Sequence, residues 1–131
     1  MDRFVTPLTV RLPISQGDFI DIKRRLNTGE QQDLFAQMMP TINPGQPYAL
    51  QSRHVLTAKV LAYLVGWSLT RDDKPVPVSP DAVNNLDPDT FREIREAIDA
   101  HEQAVDAELE VAKKNRDIEN ISRPASTSVG A

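Results

Sequence analysis

A chain of 131 residues, 40% of them hydrophobic but only 5% aromatic, is long enough for one small domain with an aliphatic core. Its net charge of -4 and pI near 5.1 give it no general attraction to nucleic-acid phosphates or anionic lipid, since both need clustered lysine and arginine. With no cysteine it has neither disulfides nor thiolate metal ligands, which fits a reducing compartment.

The N-terminus, MDRFVTPLTV, has an acid at Asp2 and no signal-peptide apolar core. The apolar run from Val60 to Leu69 is broken by Ala62, Gly66 and Ser68, and is far short of the ~20 residues of a membrane helix. A soluble cytoplasmic protein with no nucleic-acid or membrane partner is therefore expected.

Leu8, Val10, Leu12 and Ile14 alternate with polar or breaker positions, as do Ile20 and Ile22, which is the period-two pattern of half-buried strands. With Ser15-Gln16-Gly17-Asp18 as turn chemistry, this predicts a β-hairpin over about 7–24, and Pro13 confines the first strand to a sheet edge. Two strands alone are marginal in water, so the hairpin must pack on helices. Thr28 is expected to cap a helix over about 28–39 through a reciprocal pair with Gln31. That helix runs through Leu34, Phe35 and Met38 and stops before Pro40. The segment PTINPGQPY that follows is a connecting loop.

Val55, Leu56, Val60, Leu61, Leu64 and Val65 have the spacing of a helix over about 50–66 that Gly66 can end, although the β-branched residues leave a strand open for the last third of Val60–Leu69. Arg71-Asp72-Asp73-Lys74 is a polar turn, and Pro75-Val76-Pro77-Val78 an extended linker. Ser79-Pro80-Asp81 and Asp87-Pro88-Asp89 each place a capping oxygen, a proline at the first helical position and an acid in the first turn, so helices are predicted over about 79–86 and 88–115. In the second, Phe91, Ile94, Ile98, His101, Val105, Leu109 and Ala112 share one stripe. Asp99, Glu102, Asp106 and Glu110 form an acidic stripe beside it, and Lys113, Lys114 and Arg116 close the helix at its negative end. Residues 116–131 read as a flexible tail, leaving 1–115 as a single domain. The expected fold class is α+β, mostly helical: a hairpin packed on helices and a long amphipathic C-terminal helix.

Nothing in this chain spells catalysis. His54 and His101 stand far apart with no metal-ligand spacing, and His101 reads best as a satisfied polar residue at the edge of the helix seam. Glu30, Asp33, Glu93 and Glu96 lack a nucleophile, phosphate loop or electrophilic partner, and Gly29 alone is no phosphate cradle. No enzyme, cofactor or metal is expected. Trp67 reads first as a half-buried core residue and second as an interface anchor. The acidic stripe reads first as a solvated helix face and second, because its like charges cost stability with no gain visible in the sequence, as a surface that receives a basic partner segment. The candidate partner-binding residues are Trp67, Phe91, Ile94, Ile98, Asp99, Glu102, Val105, Asp106, Leu109 and Glu110.

The order of GDFIDIKRRLNTGEQQDLF, VLAYLVGWSLTRDDKPVPVS and LDPDTFREIREAIDAH resembles the tail assembly chaperones of long-tailed bacteriophages. The resemblance covers roughly Gly17 to Lys114 and rests on ordered degenerate blocks. Two positions depart from it: Asn27 intervenes between Leu26 and Thr28, and Asp73 stands where many relatives use glycine. The resemblance implies a non-catalytic protein of the infected host's cytoplasm that binds the tape measure protein, and the major tail protein as a further partner, while tube subunits polymerise. It also implies absence from the finished virion and a longer form made by frameshifting near the C-terminus. The alternatives are a virion adaptor such as a head–tail connector or tail completion protein, and a small acidic regulator of a host protein.

Overall fold

The computed structural model describes residues 2–39 and 52–122, and the side chains of these except at 52–54 and 119–122. The PTINPGQPY segment, the His54 side chain and residues 123–131 lie outside the described part.

The alternating segments form the expected hairpin, β1 (Thr9–Pro13) and β2 (Phe19–Lys23), with Val10 opposite Ile22 and Leu12 opposite Ile20. Ile20 and Ile22 are fully buried, while the outward residues of β2 alternate with them at the surface. On that outer face Arg11 lies opposite Asp21 and donates to its carboxylate from Nε at 2.9 Å. The Arg11 guanidinium also sits 3.8 Å from the centre of the Phe19 ring. A short 3-10 turn, Ser15–Gly17, joins the strands, with Gln16 and Gly17 at φ of 60° and 77°.

The next helices are α1 (Thr28–Met38) and α2 (Ser52–Tyr63). The cap of α1 is Asn27 and not Thr28: its Oδ1 accepts from the Glu30 N–H at 2.8 Å, and Glu30 Oε1 accepts from the Asn27 N–H at 3.0 Å. The capping box is thus displaced by one residue from the Thr28–Gln31 pair. Asn caps at least as well as Thr, and Glu30 also meets the Lys23 ammonium at the end of β2. That ammonium, then the Asn27 amide, hold the Glu30 carboxyl below its usual range. Replacing Asn27 with alanine is expected to cost about 1 kcal/mol, and Thr28→Ala only a few tenths, roughly; paired urea melts check the order.

α2 ends at Tyr63, three residues before the expected limit at 66, and the chain passes straight into β3 (Leu64–Trp67). This strand pairs antiparallel with β2, placing Ile20 opposite Trp67 and Ile22 opposite Leu64, with a bulge that takes up one residue. The sheet order is β1-β2-β3, so β1 with its Pro13 is an edge. Helical spacing continued through Leu64 and Val65, but the free edge of β2 offered hydrogen bonds, and β-branched and aromatic side chains suit a half-buried strand.

The polar turn makes a two-residue hairpin, β4 (Thr70–Arg71) with β5 (Lys74–Pro75). Asp72 and Asp73 both take positive φ, 51° and 63°, the left-handed pair of a tight hairpin turn. That conformation explains why glycine suits position 73, and Asp is among the few other residues that tolerate it. The hairpin brings the Val76 carbonyl within 2.6 Å of Trp67 Nε1, which donates to it.

Ser79 caps α3 (Pro80–Asn84) by accepting from the Ala82 N–H at 3.0 Å, and Asp87 Oδ2 accepts from the Asp89 and Thr90 amides at the start of α4 (Pro88–Ser122). Both proline-led starts are as expected. The end of α4 is not: it runs to Ser122 rather than 115, so residues 116–122 are helix and not tail. Lys113, Lys114 and Arg116 do not close it, because no proline or glycine intervenes before Pro124. At 35 residues α4 is roughly 52 Å long, given a rise of 1.5 Å per residue. The core is Ile20, Ile22, Leu26, Val60, Tyr63, Leu64, Val83, Ile94 and Ile98, where the inner sheet face meets α2, α3 and the first half of α4. The fold is α+β with an N-terminal antiparallel sheet, helices and a long C-terminal helix.

Candidate partner-binding surface

α4 divides into an inner half that completes the core and an outer half that leaves it. Ile94 and Ile98 are 0% and 1% exposed, Val105 is buried at 6%, and Phe91 packs half-buried against the same cluster. These four offer little or no free face, so the apolar stripe read as a partner seam is intramolecular packing up to Val105. His101 Nε2 lies 3.0 Å from the Arg24 carbonyl, which ties α4 to the end of β2. Glu93 holds the hairpin turn, its Oε2 accepting from Ser15 Oγ at 2.8 Å and its Oε1 from the Ser15 amide. Trp67 is half-buried, packs against the core and spends its N–H on Val76.

The acidic stripe divides at the same place. Asp99 and Glu102 face α2, where Lys59 Nζ is 2.6 Å from Asp99 Oδ1 and 3.0 Å from Glu102 Oε1. The Tyr63 hydroxyl donates to Glu102 Oε2 at 2.7 Å. The expectation of a stripe without internal gain is therefore wrong for these two carboxylates, which have a half-buried counter-ion of their own. Burial opposes the Lys59 charge, but hydrogen bonds to Asp99 and Glu102 outweigh it and raise its pKa. Burial, then the bond to Glu102 and its negative charge, push the Tyr63 hydroxyl well above its usual range. Lys59 and Tyr63 were not singled out from the sequence, although one turn apart on α2 they match the Asp99 and Glu102 spacing on α4.

Beyond Glu102 the surroundings change. Glu108 meets Arg24 at 3.2 Å, but Asp106 and Glu110 are exposed and make no ion pair among the described residues. Leu109 is half-buried, and Val111 and Ile118 are 58% and 60% exposed. Asp106 and Val105 also form one wall of an open groove of about 320 Å³, whose other wall is Leu34, Phe35 and Met38 of α1. Leu26 and Tyr63 lie in it, Arg24, Arg25, Gln31 and Glu102 line it, and Phe35 is 65% exposed. Beside the groove Met39 is 56% exposed. The sequence reading placed Leu34, Phe35 and Met38 in a helix but missed their part in this surface. The signal was the crowding of apolar residues into the last turn of α1, with few on its first two.

Among the described residues no group of three or more His, Asp or Glu side chains is placed to hold a metal ion. No helix of the described residues is long and apolar enough to cross a membrane. No family model, curated protein or solved structure matches this chain.

Proposed function

We propose that this chain is a non-catalytic phage tail assembly chaperone that holds the tape measure protein in the host cytoplasm while tail tube subunits polymerise around it. The outer half of α4 carries this reading. From Asp106 onward the helix runs past the core with unneutralised carboxylates and exposed Val111 and Ile118, beside the exposed apolar end of α1. A helix with such a face, at no evident benefit to its own fold, suits binding another helical chain. The resemblance of the ordered sequence blocks supports the tape measure protein as that chain, and the exposed face of α4 supports its being held there.

Co-expression tests the reading. The tape measure protein encoded alongside this chain is expected to accumulate in inclusion bodies alone and in the soluble fraction when both are made, with the two co-purifying. An unchanged soluble fraction, or stoichiometric recovery of this chain from purified virions, contradicts it.

A further inference from the structure

We infer that the N-terminal arm of one copy, residues 2–5, docks in the groove between α1 and α4 of a second copy, with Phe4 as its anchor and Asp2 and Arg3 meeting the charges beside it. The inference goes beyond the partner-holding reading and concerns the chain by itself.

The groove is apolar on one wall and charged on the other. Leu34, Phe35 and Met38 form its α1 side, whereas α4 brings Glu102 and Asp106 beside a Val105 that is only 6% exposed, and Arg24 and Arg25 line it as well. An opening of about 320 Å³ with this division suits a single aromatic ring flanked by charges of both signs. The arm has that form. Residues 2–8 precede β1 without helix or strand, and Phe4 is the most exposed large hydrophobic among the described residues, at 88%.

Charge selects the occupant. Arg24 already meets Glu108, and Glu102 meets Lys59, so the groove keeps one cation, Arg25, and one anion, Asp106, without an ion pair among the described residues. The arm likewise keeps one anion, Asp2, and one cation, Arg3, directly before Phe4. Docking pairs Asp2 with Arg25 and Arg3 with Asp106 while the Phe4 ring packs on the α1 wall. A segment with bases alone would set a like charge against Arg25.

The arm leaves the sheet next to the groove, since the Leu8 carbonyl accepts from the Arg24 N–H at 2.9 Å and Arg24 lines the groove. Two copies facing each other at this end can therefore exchange arms about a twofold axis, and the exchange closes as a dimer. Within one copy the arm takes a different course. Val5 and Pro7 line a neighbouring cleft with Lys23, Asn27 and Val65, and Phe4 stays outside it.

Sedimentation equilibrium of the full chain is the first test. So small a contact is transient, and the dimer is expected at protein concentrations on the order of 100 μM, weakening as salt is raised. Phe4→Ala is expected to weaken dimerisation about tenfold or more, and Arg3→Glu to a similar extent. The double variant Arg3→Glu, Asp106→Arg restores the opposite charges across the interface and is expected to recover most of the loss. All three positions are exposed, so the variants keep the fold, and melting curves verify it. A chain that stays monomeric at tenfold higher concentration, an unchanged dimer in Phe4→Ala, or no recovery in the double variant overturns the proposal. A photocrosslinking phenylalanine analogue at position 4, in a mixture of isotopically heavy and light chains, is expected to join the arm of one chain to α1 of another. Crosslinks confined to a single chain, or to surfaces other than the groove, overturn it as well.

Discussion

Ile98→Ala is expected to lower the stability of the domain by about 2–5 kcal/mol, because the side chain is almost wholly buried and its neighbours cannot fully collapse onto the space left. Ile98 lies in the centre of the α4 stripe, within the cluster that contains Ile20, Ile22 and Val60. A domain of this size has a total stability of about 5–15 kcal/mol, so the loss leaves a marginal protein. Val111→Ala, on the same helix but at a position 58% exposed, is expected to change stability by no more than about 0.5 kcal/mol. Denaturant midpoints measured side by side check the contrast, with an unchanged slope showing that stability alone has moved. Equal losses at 98 and 111 would mean that α4 packs equally along its length.

The second large effect is at Lys59. Lys59→Ala leaves Asp99 and Glu102 facing each other one turn apart without their shared cation, and removes one of the two partners of Glu102. Since both carboxylates remain partly in solvent, the expected loss is about 1–2 kcal/mol rather than the larger penalty of a fully buried pair. This lowers the melting temperature by about 4–8 °C per kcal/mol for a small domain. The same cluster predicts the alkaline behaviour. Lys59 and Tyr63 both have pKa values raised by folding, so each contributes stability that is fully present below its unfolded pKa, at about 10, and is lost as pH rises through the folded value. Melting temperature is therefore expected to fall steeply above about pH 10. Tyr63→Phe gives up the bond to Glu102 but also removes one of the two titrations, so its curve should fall less steeply over that range. Parallel curves for the two proteins would show that Tyr63 does not feel the carboxylates.

Much of this architecture was legible because local chemistry and tertiary packing agree. The hairpin follows from alternation at Val10, Leu12, Ile20 and Ile22, and the starts of α3 and α4 from Ser79-Pro80 and Asp87-Pro88, where the capping atoms themselves are in the sequence. The failures lie where a choice depends on something distant. Leu64 to Trp67 satisfy helical spacing, and only the open edge of β2, over forty residues earlier in the chain, makes them a strand. Asn27 and Thr28 are both competent caps, and Lys23 beside Glu30 accompanies the choice of Asn27. The roles along α4 were hardest to assign. Its acidic residues look alike in the sequence, yet α2 passes only Asp99 and Glu102, so those two maintain the fold while Asp106 and Glu110 remain at the surface. The apolar stripe has the same ambiguity, since burial to Val105 and emergence after it depend on where the rest of the domain ends.

That division of α4 makes one pair of residues decisive. Reversing Asp99 or Glu102 would set a new cation against Lys59, so loss of function there would report lost stability. Asp106 and Glu110 are free of that objection. The deciding measurement is the soluble yield of the tape measure protein co-expressed with the Asp106→Lys, Glu110→Lys variant, with the variant's own melting curve recorded to verify that it is folded. The expected result is a folded variant that leaves most of the tape measure protein insoluble; a folded variant that keeps it as soluble as the unaltered chain does would contradict the role assigned to the outer half of α4.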